Sequence, residues 1–81
     1  MQSEFQVHYY HTNALLVVNP KVLIRVLYTP FRVLCVVPAG SIPPNTWVFV
    51  EEVYSNPRDE LLYLIYGKMY PYRNFSIPIK Y

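Results

Sequence analysis

Apolar residues in this chain come in short runs, each cut by a proline or a polar turn before it reaches the ten or so residues of a helix. Residues 14–18 (ALLVV) are β-branched and leucine-rich and close at Asn19-Pro20, where proline fixes φ and bars a helix. Residues 21–28 run to Thr29-Pro30 and residues 31–37 run to Pro38, and both predict strands. In the first, Val22, Ile24 and Val26 share a face opposite Leu23, Arg25 and Leu27. In the second, Val33, Cys35 and Val37 oppose Arg32, Leu34 and Val36. Residues 38–45, rich in proline with one glycine, predict a stiff loop.

The strongest local signal spans residues 46–66, where two runs of Val, Leu, Ile, Tyr and Phe flank the polar residues 55–59 as two antiparallel strands flank a turn. Alternation stalls at Glu51-Glu52, which predicts a β-bulge or an exposed edge that resists aggregation. Gly67-Lys68 then predicts a type II′ hairpin turn with glycine first. Residues 69–72 follow as a short strand with Pro71 at its edge or exit, then a 3-10 turn at Arg73-Asn74-Phe75 and a last strand at 76–79. Residues 1–13 show no clear period and are left as a tail or a short edge strand ahead of a single small β-barrel domain over 14–81.

Composition narrows the class. Eighty-one residues support one core. The chain is 53% hydrophobic and 17% aromatic with only 15% charged residues, against about 25% in an ordinary domain, which excludes disorder. A domain this small cannot hide so much apolar and tyrosine surface, so part of it is expected to meet a partner. Seven basic and five acidic residues leave a net charge of +2, too weak a field to select nucleic acid or an anionic membrane. The longest apolar stretch, 14–37, is broken by prolines and basic residues, and the N-terminus lacks an apolar signal region; the expectation is a cytoplasmic protein without a membrane span.

Candidate chemistry is sparse. Cys35 is the single cysteine, sits in an apolar run, and reads as a buried core thiol in a reducing compartment. His8 and His11 would share one face of a helix, but no third histidine, second cysteine or carboxylate motif completes a metal site. Glu51 and Glu52 would serve as an acid/base pair only in a dry pocket that nothing nearby supplies. With no Gly-rich phosphate loop and no nucleophile elbow, the chain reads as non-enzymatic, with no cofactor and no metal.

The order of strand, turn, strand, long loop, strand, polar turn, strand, 3-10 turn and short strand, over residues 21–79, resembles an SH3-like small barrel. On that resemblance residues 38–45 are the long loop, residues 55–60 the distal hairpin, and Arg73-Asn74-Phe75 the 3-10 turn before the closing strand. The implied fold is all-β, with five to six short antiparallel strands. Val26-Leu27-Tyr28 and Asn74-Phe75 are similar to motifs of the peptide-binding SH3 domains, but Trp47 stands alone where a tryptophan pair belongs and the acidic loop is absent. The resemblance therefore implies an adaptor or a subunit of a larger assembly rather than a proline-peptide binder.

The expected function is a protein-interaction module, an adaptor or accessory subunit with one or more protein partners. Its surface is expected to comprise Trp47, Tyr66, Lys68, Tyr70, Tyr72 and Arg73, joined by the loop at Ile42–Pro44, because aromatics and arginine anchor interfaces. Phe49 and Phe75 are expected in the core. The alternative is a single-stranded nucleic-acid binder in which Trp47, Tyr70 and Tyr72 stack on bases while Lys68, Arg73 and Lys80 meet phosphates. A third use of the apolar surplus is a homodimer through an edge strand or the tyrosine face.

Overall fold

Prolines and asparagines decide where the strands stop. The computed structural model describes residues 6–21 and 23–78; within them the chain forms strands and one 3-10 turn, with no α-helix. The strands are β1 (Gln6–His11), β2 (Ala14–Val18), β3 (Ile24–Tyr28), β4 (Phe31–Cys35), β5 (Thr46–Val50), β6 (Glu52–Ser55), β7 (Leu61–Ile65), β8 (Lys68–Pro71) and β9 (Phe75–Ser76), with the 3-10 turn at Tyr72–Asn74. They pair antiparallel into three three-stranded sheets, ordered β1-β2-β3, β5-β4-β9 and β6-β7-β8.

Nine strands replace the five to six expected over residues 21–79: β2 and, ahead of it, β1 add to that set, and one expected strand is split in two. Residues 6–11 form a true edge strand on β2. The expected strand over residues 46–54 divides at Glu51, where the chain leaves β4 as partner and takes up β7. The Glu51 N–H donates to the Leu64 carbonyl at 2.8 Å and its carboxylate accepts the Tyr66 N–H at 3.1 Å, so the break is held from both sides. Strands that pass from one sheet to another turn the corners of orthogonally packed β structures.

Turn chemistry explains most of the remaining boundaries. Between β2 and β3 the Asn19 Oδ1 accepts the N–H groups of Lys21 and Leu23, both at 3.0 Å. Between β6 and β7 the Asn56 Oδ1 accepts the N–H groups of Arg58 and Glu60, both at 2.9 Å, while Asp59 takes φ 61°; this side chain acts as the turn's scaffold. The β7–β8 turn differs from expectation. Ile65 pairs with Lys68, so the central residues are Tyr66 (φ 53°) and Gly67 (φ 73°), a type I′ pattern with glycine second rather than type II′ with glycine first. The 3-10 turn and the strand before it consequently start one residue earlier than expected. Val22, Ile79 and Lys80 lie outside the described residues.

The core draws on all three sheets. Leu15 and Val17 point inward from β2; Phe31, Val33 and Cys35 from β4; Val48 and Val50 from β5; Val53 from β6; and Leu61, Tyr63 and Ile65 from β7. A chain of rings runs through it. Phe31 meets Tyr63 edge to face at 5.8 Å, Tyr63 meets Phe75 at 6.0 Å, and Phe75 meets Tyr70 at 6.2 Å. Each such pair contributes about 0.5–1.5 kcal/mol beyond burial itself. The Val53 N–H donates to the Thr12 carbonyl at 2.8 Å, tying the β1–β2 turn to β6. Cys35 is buried, as its apolar neighbours predicted.

Candidate functional site

Residue by residue, the expected surface does not come together in one place. Tyr66 and Lys68 sit at the β7–β8 turn and are exposed. Tyr72 and Arg73 sit on the 3-10 turn at the other end of β8, a four-residue strand and hence about 13 Å away. Tyr70, between them, is only 8% exposed: it pairs with Tyr63 on the inner face of its sheet and its ring packs on Phe75. It is a core residue. Trp47 lies on a different sheet, on β5.

The stiff loop also divides. Ile42 is buried in the core rather than open to a partner, and its N–H and carbonyl both bond to Ala39, at 2.8 and 3.1 Å. Pro43 and Pro44 remain exposed. The loop is anchored from the far end of the chain, because the Asn74 carbonyl accepts the N–H groups of Val36 and Val37, and the Asn74 amide donates to the Pro38 carbonyl at 3.2 Å.

What the fold does assemble is an aromatic and basic strip on the outer face of β4 and β5. The inward set on β4, Phe31, Val33 and Cys35, pairs across the ladder with Val50, Val48 and Thr46. The outward set follows by alternation: Arg32 pairs with Phe49, and Leu34 with Trp47. Phe49 is therefore 57% exposed and does not join the core as expected; Trp47 beside it is 46% exposed. The Arg32 guanidinium lies over the Trp47 ring, 4.4 Å from its centroid, in cation–π contact. Val36 and Val37 continue the exposed apolar surface past the end of β4. Arg32 marks a solvent or binding face in the sequence; what the sequence does not show is the pairing, by which the arginine takes Phe49 to that face.

The remaining candidate groups take structural positions. His8 and His11 lie exposed on a strand, not on a helix, with a bulge in the β1–β2 register between Tyr9 and His11. Among the described residues no cluster of three His, Cys, Asp or Glu stands close enough to hold a metal ion. Glu51 and Glu52 do not converge; the first caps the Tyr66 N–H, and the second accepts the Tyr54 hydroxyl. That hydrogen bond to a carboxylate holds the Tyr54 phenol above its usual pKa. A shallow cleft of about 190 Å³ is lined by Glu60, Leu61, Leu62, Pro71 and Arg73. Among the described residues no helix is long and apolar enough to cross a membrane. No protein-family model matches the chain, and neither the curated proteins nor the solved structures include a match to it.

Proposed function

We propose that this chain is a non-enzymatic protein-interaction module, an adaptor or accessory subunit of a larger assembly, and that it binds its protein partner through Arg32, Leu34, Trp47 and Phe49. The observation that carries this reading is the exposure of Phe49 and Trp47 side by side, with the Arg32 guanidinium already stacked on the indole. Burying a phenylalanine fully is worth about 1.5–3 kcal/mol. Leaving more than half of Phe49 in water forgoes much of that in a domain whose whole stability is on the order of 4–12 kcal/mol. A partner that covers the strip recovers it. Trp and Arg are the side chains that dominate binding energy at protein interfaces, and a guanidinium pre-positioned on a ring loses less entropy on binding.

The connectivity from β4 to β9 supports the SH3-like small barrel as the frame of this surface. One continuous stretch, β5 to β6, passes between two three-stranded sheets at Glu51, and β9 returns to β4 directly after the 3-10 turn. On this reading Tyr66-Gly67, rather than residues 55–60, is the distal hairpin, and the β1–β3 meander is an added layer over the barrel. The lone thiol at Cys35 suits a reducing, cytoplasmic setting.

The test is affinity capture from a lysate of the source organism by the wild-type chain and by the double variant Trp47→Ser/Phe49→Ser, each with and without nuclease. Defined proteins retained by the wild type through nuclease, and lost by the variant, support the proposal. Retention that disappears with nuclease would instead favour the single-stranded nucleic-acid reading, in which the same rings stack on bases.

A further inference from the structure

We propose that two copies of this chain join edge to edge through β3, antiparallel, about a two-fold axis at Val26. The contact uses a different sheet from the Arg32–Trp47–Phe49 strip and stands independently of it.

Among the described residues β3 pairs only with β2, and the side to which its remaining backbone groups point follows from the hydrogen-bond phase of the β2–β3 ladder. Thr29 N–H donates to the Asn13 carbonyl at 2.9 Å and Asn19 N–H to the Leu23 carbonyl at 3.1 Å, bracketing the hairpin with bonded pairs. Bonded and non-bonded pairs alternate along an antiparallel ladder. Leu15–Leu27 and Val17–Arg25 are therefore bonded, whereas Ala14–Tyr28, Leu16–Val26 and Val18–Ile24 are not. The backbone N–H and C=O groups of Ile24, Val26 and Tyr28 consequently point away from β2, to the open side of the sheet.

Within the strand that edge carries one charge, Arg25, but no lysine, proline or bulge. Natural edge strands carry lysines, prolines or bulges. The opposite edge, β1, has a bulge and is braced against β6 through the Thr12–Val53 hydrogen bond. β3 reads IRVLY, pairs in unbroken register, and packs chiefly on β2. Its outer face is apolar and open: Ile24 is 60% exposed and Tyr28 69%, with Val26 between them and Leu23 exposed at the corner.

The register is selected by charge and by proline. Centring the axis on Val26 sets Ile24 opposite Tyr28 of the second copy, Val26 opposite its own counterpart, and Arg25 opposite Leu27. All the outward-facing backbone groups are then in bonded pairs, and the face gains two β-branched–aromatic pairs, a favourable cross-strand combination. Sliding by two residues one way puts Arg25 against Arg25 in a close non-bonded pair, like charges about 4.5 Å apart at the backbone. Sliding the other way sets Ile24 against Pro30, which has no N–H to donate. One five-residue strand from each copy makes a contact smaller than the roughly 800 Å² per partner of a standard interface, so the dimer is reversible and concentration-dependent.

Sedimentation velocity on the full chain, from about 1 μM to several hundred μM, is expected to show a monomer converting to a dimer. Val26→Lys is expected to remain monomeric throughout, with an unchanged circular dichroism spectrum. Register is read separately by oxidation at high concentration. Val26→Cys sits on the axis, where backbones in a bonded pair are about 5.5 Å apart, within disulfide reach, and is expected to give a covalent dimer. Ile24→Cys, whose counterpart lies a strand's length away, is expected to give none; Cys35 is buried and does not confound the assay. A chain that stays monomeric at the highest concentration, a Val26→Lys variant that still dimerises, or equal cross-linking at both positions would overturn the proposal.

Discussion

Tyr63 should make the fold sensitive to alkali. Its ring is fully buried between Phe31 and Phe75, on the inner face of the central strand of its sheet. Burial, with the neighbouring Tyr72 adding to it, raises the phenol pKa far above the ordinary value of about 10. In the unfolded chain the same phenol ionises near pH 10. Above that pH the unfolded state binds fewer protons than the folded one, so stability is full below about pH 10 and falls as pH rises. One proton is worth somewhat more than 1 kcal/mol per pH unit, so Tyr63 alone should remove roughly 1–2 kcal/mol by pH 11. Against a total on the order of 4–12 kcal/mol, that shift is readily measured. Urea titrations followed by circular dichroism at pH 9 and pH 11, on wild type and Tyr63→Phe, isolate the effect because every other titrating group is common to both. The wild type should lose roughly 1–2 kcal/mol more than the variant between the two pH values. Equal losses would refute the argument that this phenol is held neutral by burial.

Three further substitutions test the turns. Asn56→Ala removes the acceptor shared by the Arg58 and Glu60 N–H groups and should cost about 1–2 kcal/mol in urea denaturation. Tyr66→Asn replaces a non-glycine residue at φ 53° with one that tolerates the left-handed region, and should stabilise the β7–β8 hairpin by about 0.5–1 kcal/mol, raising the melting temperature by a few degrees. Gly40→Ala should cost about 1–2 kcal/mol, since φ is +56° and a new Cβ would lie 3.0 Å from Tyr70 Cε1; pairing it with a smaller residue at 70 should recover only the steric part.

Much of the fold was legible because this chain marks its strand ends with residues of fixed conformational meaning. Asn19-Pro20, Pro30 and the Asn56 turn end or join strands where those residues predicted, whereas the strand expected to run to Pro38 stops at Cys35, where the Val36 and Val37 N–H groups turn to the Asn74 carbonyl. The sheet break at Glu51 showed as a stall in alternation, although a bulge and a change of sheet leave the same trace in sequence. Gly67 announced a tight turn but not its register, because types I′ and II′ both accept glycine and only the Ile65–Lys68 pairing distinguishes them. The site was harder to read. Residues 46–50, TWVFV, are apolar on both faces, so period alone does not say which face is buried, and Phe49 was expected inside while Trp47, two residues before it and on the same face, was expected outside. Valines at 48 and 50 fill the core instead, because the β4–β5 register pairs them with the buried Val33 and Phe31. Tyr70 was misplaced for the converse reason: in a strand as short as residues 68–71, period has too few positions to separate the faces. Both errors arise from cross-strand register, which is set by long-range pairing and not by neighbours in sequence.

The direct measurement of the central claim is site-specific photocross-linking in cells of the source organism. A photoreactive phenylalanine analogue is placed at Phe49, on the outer face of β5, and, for comparison, at the exposed Met69 on the outer face of β8. The account predicts discrete protein adducts from position 49 that are absent from position 69. Adducts to protein from position 69 alone, or adducts from position 49 that consist of nucleic acid, would contradict it.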